Sequence, residues 1–169
     1  MVYFRKWFQW YPESKVAYLW GAPMDIPNMQ SLKQKLKALF ILRNMFLFAS
    51  ILNAEIMDDY LGLLHRFKPQ IIQAYTNPIY ILSNYILESG RRVDKPKAVI
   101  VTAEPCYPSQ RAVIERAFNC PVYAFYGARE AGYIGVECAT HRHYHINTHG
   151  VYLEIIKDGK PAAPGEIGD

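Results

Sequence analysis

At 169 residues, with 51% apolar and 14% aromatic side chains, the chain has the length of one domain and ample material for a packed core, which argues against disorder. The formal charge of +4 is mild, and its basic residues alternate with acids, as in Arg111, Glu115 and Arg116, so no nucleic-acid footprint is read. Cys106, Cys120 and Cys138 are odd in number, unevenly spaced and without a CxxC pair or a leader ahead of them, which predicts a reduced, cytoplasmic setting.

The apolar starts and runs are interrupted by charge. Arg5 and Lys6 break the first ten residues, and Arg43 with Asn44 breaks the run from Ala38 to Leu52, so neither is expected to span a membrane. Val16 to Trp20 reads as a buried strand closed by Gly21 and Pro23, and a helix is expected over Ser31 to Phe40. Phe46 to Ser50 is the next candidate strand. Asn53 then stands where a helix N-cap belongs, ahead of a helix with Ile56, Tyr60, Leu63, Leu64 and Phe67 on its inner face and Pro69 as its stop.

Ile71 to Tyr75 reads as a strand, and Pro78 suits the first turn of a helix with Ile79, Leu82 and Ile86 inward, leaving at Ser89 and Gly90. Ala98 to Thr102, a continuous β-branched run, is the fourth candidate strand. A helix over Ser109 to Phe118 follows, with Val113, Ile114, Ala117 and Phe118 facing the core, then a strand over Val122 to Phe125. Apolar strands joined by helices form parallel sheets through right-handed crossovers, so the fold class is α/β, a parallel sheet flanked by helices.

From Gly132 the pattern changes to short β segments, Tyr144 to Thr148 and Val151 to Ile156, with a hairpin turn at Asp158, Gly159 and Lys160. A small antiparallel β addition is expected at the C-terminal end. The organisation read is therefore an α/β core over residues 1–131 and a β-rich extension over 132–169 that begins a following part.

Open parallel sheets bind ligands beyond the carboxyl ends of their strands, where loops diverge and helix N-termini point outward. Three such ends carry polar or aromatic residues: Tyr75, Thr76 and Asn77; Thr102, Ala103, Glu104 and Pro105; and Tyr126, Gly127, Ala128, Arg129 and Glu130. With plain readings, Tyr126 caps a strand, Glu130 is a solvated carboxylate, and Glu104 caps the helix that follows it. Cys138, His141, His143 and His145 form a further candidate, a zinc set, because the three histidines share one face if their segment is a strand. Cys106 and Cys120 read as apolar fillers at helix boundaries.

The stretches "KPQIIQAYTNP", "VIVTAEP", "QRAVIERAF" and above all "PVYAFYGARE", in that order, resemble the central region of the adenylate-forming superfamily. The branch resembled is that of phenylacetate-coenzyme A ligase and its capsular-polysaccharide relatives, to which "WGAP" and "ECATHRHYHINTHGVYLEII" running to "PGEIGD" are also similar.

The resemblance implies an ATP-dependent carboxylic acid ligase that forms an acyl adenylate, releases pyrophosphate and passes the acyl group to coenzyme A. It implies that Tyr126 stacks on the adenine against the backbone of Ala103, Glu104 and Pro105, and that Gly127 permits close approach of the nucleotide. Glu130 takes the place of the carboxylate that holds Mg2+, and Tyr75, Gly132 and Tyr133 take places in the pocket for a small carboxylic acid, for which the family likeness suggests an aromatic one.

The same resemblance calls for a Ser/Thr/Gly-rich phosphate loop, and no such run precedes Val16. It also calls for a ribose-holding aspartate, for which Asp169 lies too early, and for a C-terminal lysine. The expectation is that the chain alone adenylates nothing at a useful rate and works with the missing parts of the enzyme or a second copy of itself. The competing expectation is a non-catalytic α/β module that binds a nucleotide or a protein. A generic flavodoxin-like binder would show no nearness between Tyr126 and Ala103 to Pro105.

Overall fold

The computed structural model describes residues 6–21, 43–141 and 143–168; the expected helix over Ser31 to Phe40, the Pro23 turn and Asp169 lie outside them. The described elements, in chain order, are β1 (Val16–Trp20), β2 (Asn44–Phe48), α1 (Ala54–Phe67), β3 (Ile71–Tyr75), α2 (Thr76–Ser89), β4 (Ala98–Thr102), α3 (Pro108–Phe118), β5 (Val122–Ala128), β6 (Gly132–Glu137), β7 (Tyr144–Ile146), β8 (Ile156–Lys157) and β9 (Lys160–Pro161).

Seven strands form one sheet in the order β2-β1-β3-β4-β5-β6-β7. The first five are parallel, and β6 and β7 add antiparallel to β5. The α/β class and the parallel sheet are as the alternation of apolar runs and helical patterns predicts. The change of character at Gly132 is a reversal of strand direction within the same sheet, and the separate antiparallel piece is the small β8-β9 ribbon. Its turn has Asp158 at φ 51 and Gly159 at φ 70, the two positive values a two-residue hairpin needs to match strand twist. Residues 151–155, expected as strand, pair with nothing regular, and β7 ends at Ile146.

All three long helices of the described residues lie on one face. Each step from β2 to β3, β4 and β5 moves the same way across the sheet, so right-handed crossovers deliver α1, α2 and α3 to the same side. Under them Ala17, Leu19, Ile72, Ala74, Val99, Val101, Val122 and Ala124 form the core with Leu61, Leu82, Ile86, Ile114 and Phe118. The opposite face carries Phe8, Val16, Ile71, Ala98, Ile100, Tyr123 and Val136. Strand residues buried on both faces account for the unbroken apolar runs.

The capping expectation for α1 holds: the Asn53 side-chain oxygen accepts from the backbone N–H of Ile56 at 2.9 Å, and Lys68, at φ 51, ends the helix before Pro69. Its inner face is rotated from the one expected. Met57, Leu61, Leu64 and Phe67 are buried while Leu63 is 42% exposed; Tyr60 packs half-buried at the margin and donates its hydroxyl to the Phe48 carbonyl at 2.6 Å. In α2, Ile79, Leu82 and Ile86 are buried as expected, and Gly90 closes the helix at φ 66. In α3 only Ile114 and Phe118 are fully buried, with Val113 and Ala117 at the margin.

Candidate functional site at the carboxyl edge of strands β4 and β5

β4 and β5 are adjacent and parallel, with Val99 beside Val122 and Val101 beside Ala124. The two chain segments therefore leave the same end of the sheet side by side, which is the placement the Ala103–Pro105 and Tyr126–Glu130 pairing requires. Thr102 is buried, and the next three residues, Ala103, Glu104 and Pro105, are exposed. Ala103 sits at φ 72, a left-handed conformation that turns the backbone sharply out of the strand.

Glu104 does not cap the helix that follows it. Its carboxylate accepts from the backbone N–H of Asn77 at 2.8 Å, at the start of α2 on the neighbouring strand's crossover. A helix N-terminus leaves its first N–H groups without internal partners and attracts negative charge, and Glu104 satisfies one of them from the next loop over. The buried Thr76 hydroxyl reinforces the joint by donating to the Glu104 carbonyl at 3.0 Å and lying 3.4 Å from that of Thr102. At α3 the cap is made instead by Tyr107, whose N–H donates to the Gln110 side chain at 3.1 Å. We expect Glu104→Ala to cost about 0.5–2 kcal/mol, the usual cost of a lost N-cap, read as a lowered thermal midpoint; no change would show that the contact is idle.

The second corner is a strand, not a loop. Tyr126, Gly127 and Ala128 continue β5 and pair with β6 across a bulge between Tyr126 and Gly127. Tyr126 is 58% exposed, so its ring is open to a ligand. The close approach at Gly127 is to the protein itself: a Cβ there would lie 2.5 Å from the Gly132 carbonyl oxygen. Arg129, Glu130 and Ala131 form the exposed turn of the hairpin. Glu130 is an exposed carboxylate in that turn, a hard oxygen donor of the kind that suits Mg2+.

Tyr75 and Tyr133 gather on the face away from the helices. The Tyr75 ring lies 4.9 Å from that of Trp20, and the Tyr133 ring 4.7 Å from that of Phe125. Burial raises the pKa of both phenols, and a hydrogen bond with Gln73 acts against the rise at Tyr133. Gln73 was not among the expected residues. It is buried at the centre of β3, and its Oε1 is a buried side-chain oxygen without a partner among the described residues. A lone amide inside the apolar run of Ile71 to Tyr75 was the available signal.

The zinc set does not assemble. Only Tyr144–Ile146 of its segment is strand; the His145 ring lies 4.6 Å from that of Trp7, and His141, at φ 51, has its ring 5.4 Å from that of Tyr123. Its Nδ1 lies 3.1 Å from Arg111 and 3.4 Å from Glu137. Among the described residues no group of three or more His, Cys, Asp or Glu side chains is placed to hold a metal ion. Cys138 instead has its pKa lowered to about 7 by the hydroxyl and backbone of Thr140 and by His145. Cys120 is buried, which pushes its thiol up to about 12, as an apolar filler should be.

No family model matches the chain. In sequence it is 29% identical over 132 residues to Protein CapK of Staphylococcus aureus, covering 69% of this chain and 29% of that protein. In structure it resembles amide bond synthetase McbA from Marinactinospora thermotolerans, with a TM-score of 0.64 at 16% identity over 98% of this chain and 33% of that one. It also resembles an acyl-CoA synthetase of Brucella canis, at TM-score 0.62 and 15% identity, and a long-chain-fatty-acid-CoA ligase of Archaeoglobus fulgidus, at 0.60 and 14%. Those matches take in 98% of this chain and 31% and 35% of the two enzymes.

The chain carries the fold of the adenylate-forming superfamily, the one its motifs resemble. It spans about a third or less of the length of these relatives. No helix of the described residues is long and apolar enough to cross a membrane.

Proposed function

We propose that this chain is the adenine-side and metal-side portion of an ATP-dependent carboxylic acid ligase of the phenylacetate-coenzyme A ligase type. The observation that carries the reading is the side-by-side exit of the Ala103–Pro105 and Tyr126–Glu130 segments from adjacent parallel strands, both open to solvent. The likeness to CapK and to acyl-CoA ligases supports it.

In this reading the Tyr126 ring covers one side of the adenine and the turned backbone of Ala103, Glu104 and Pro105 covers the other, burying a flat heterocycle between two surfaces. Gly127 keeps the hairpin narrow so that Tyr126 stays at the opening. Glu130 would hold Mg2+, which would supply neutralisation of phosphate charge; the substrate carboxylate attacks the α-phosphorus of ATP and pyrophosphate leaves. Tyr75, Gly132 and Tyr133 line the place of a small carboxylic acid, and coenzyme A accepts the acyl group. The chain works in the cytoplasm, completed by the parts that make up the remaining length of its relatives, in the same polypeptide, another chain or a second copy.

The test is acid-dependent exchange of pyrophosphate into ATP by the chain completed to the length of CapK. Glu130→Ala should lower exchange on the order of a hundredfold, the loss of about 2.7 kcal/mol of charge stabilisation. Unchanged exchange would remove Glu130 from the metal site. The competing reading is a module that binds nucleotide without chemistry. AMP binding with no exchange in the completed protein would select it.

A further inference from the structure

β5 changes partners along its length. Its first half pairs with β4 through Ala124, and β6 joins only from Phe125 onward. This leaves a short stretch of backbone, Val122 to Ala124, whose edge away from β4 has no strand beside it among the described residues. Exposed strand edges fray or recruit other strands, so the way this one is closed matters.

It is closed by charged side chains. The Val122 N–H donates to the Glu115 carboxylate at 3.3 Å, and the Val122 carbonyl accepts from the Arg111 guanidinium. The Ala124 N–H donates to Glu137 at 2.8 Å. Arg111 also donates to both oxygens of Glu137, at 3.0 and 2.8 Å, with the two side chains 13% and 10% exposed. Arg111 and Glu115 belong to α3 and Glu137 to β6, so three elements are bound at one point. A buried two-pronged pair of this kind has one geometry, and removing one partner leaves an unpaired buried charge.

α3 starts three residues after Pro105, and β5 runs on from Ala124 to Tyr126. We infer that Arg111, Glu115 and Glu137 form a positioning clamp that sets the gap between the Ala103–Pro105 backbone and the Tyr126 ring, by fixing the angle at which the β5–β6 hairpin leaves the sheet. None of the three touches the proposed nucleotide; they act through the elements that carry its two walls. The clamp rests on the proposed adenine site for its purpose, and on the hydrogen bonds alone for its existence.

Two measurements on the 169-residue chain separate these. In hydrogen exchange, Glu137→Ala should speed exchange at the Ala124, Phe125 and Tyr126 amides by about tenfold or more while β1, β3 and β4 stay protected. Glu137→Gln, which keeps an oxygen for the Ala124 N–H and is the variant to use if alanine does not fold, should retain part of that protection. Exchange that is unchanged at Ala124, or raised evenly over the sheet, overturns the clamp.

In calorimetric titration with AMP, Glu137→Ala should weaken binding by about tenfold, with Glu137→Gln in between. If the hairpin loosens but AMP binds as before, the clamp does not set the gap, and the inference fails. If the unaltered chain binds no AMP, the adenine reading fails while the exchange result still decides whether the clamp exists.

Discussion

Gly127→Ala is expected to abolish the hairpin's present shape and weaken binding of an adenine nucleotide by about tenfold to a hundredfold, or roughly 1.4–2.8 kcal/mol. The added methyl would stand 2.5 Å from the Gly132 carbonyl oxygen and 3.2 Å from a carbon of the Phe125 ring. Backbone cannot swing aside as a flexible side chain can, so β6 must move away from β5 or the bulge must re-form elsewhere. Either shift carries Tyr126 and Glu130 with it, because both sit within the same hairpin. A fluorescent adenine nucleotide titrated into both proteins measures the loss. Gly132→Ala is the informative control: it also adds strain, at φ 66, but has open space where its Cβ would go. Equal affinity in Gly127→Ala and the unaltered chain would show that the hairpin's width has no part in nucleotide binding.

Phe118→Ala should destabilise the fold by about 3–5 kcal/mol, the range for removing a buried aromatic ring that its surroundings cannot refill. Phe118 ends α3, is 1% exposed, and belongs to the cluster with Ile114, Cys120, Val122 and Ala124 under the helices. Total stabilities of domains are about 5–15 kcal/mol, so this one change removes a large part of the margin. Urea unfolding measures it as a lowered midpoint with an unchanged slope. Ile51→Ala, at a side chain 65% exposed, should stay within about 0.5 kcal/mol and shows what loss of apolar bulk alone does. A Phe118→Ala loss below about 1 kcal/mol would mean that α3 is not seated on the sheet as described.

β3 and β4 have the bounds expected of them because each is a short apolar run closed by polar residues, a pattern that local burial alone sets. Asn53 and Gly90 were legible for a similar reason, since a helix end is satisfied by residues within one turn of it. The inner face of α1 was not, because which stripe of an apolar-rich helix meets the sheet is set by the strands beneath it, and Met57 and Leu61 are buried there while Leu63 is exposed. Nor was the role of Glu104. Its nearest helix in sequence is α3, but the open N–H it meets belongs to α2, 27 residues earlier.

The order of apolar runs, turn residues and motifs thus determined the α/β class, the parallel strands and the location of candidate chemistry at their carboxyl ends. It determined these because periodicity, capping and turn geometry act over a few residues. Only the tertiary structure decided that β4 and β5 are neighbours, that Tyr126 to Ala128 belong to a hairpin, that the histidines do not gather, and that Arg111, Glu115 and Glu137 close an edge of β5. Those outcomes depend on which segments meet across the sheet, and contacts between residues distant in sequence are set by packing the whole chain at once.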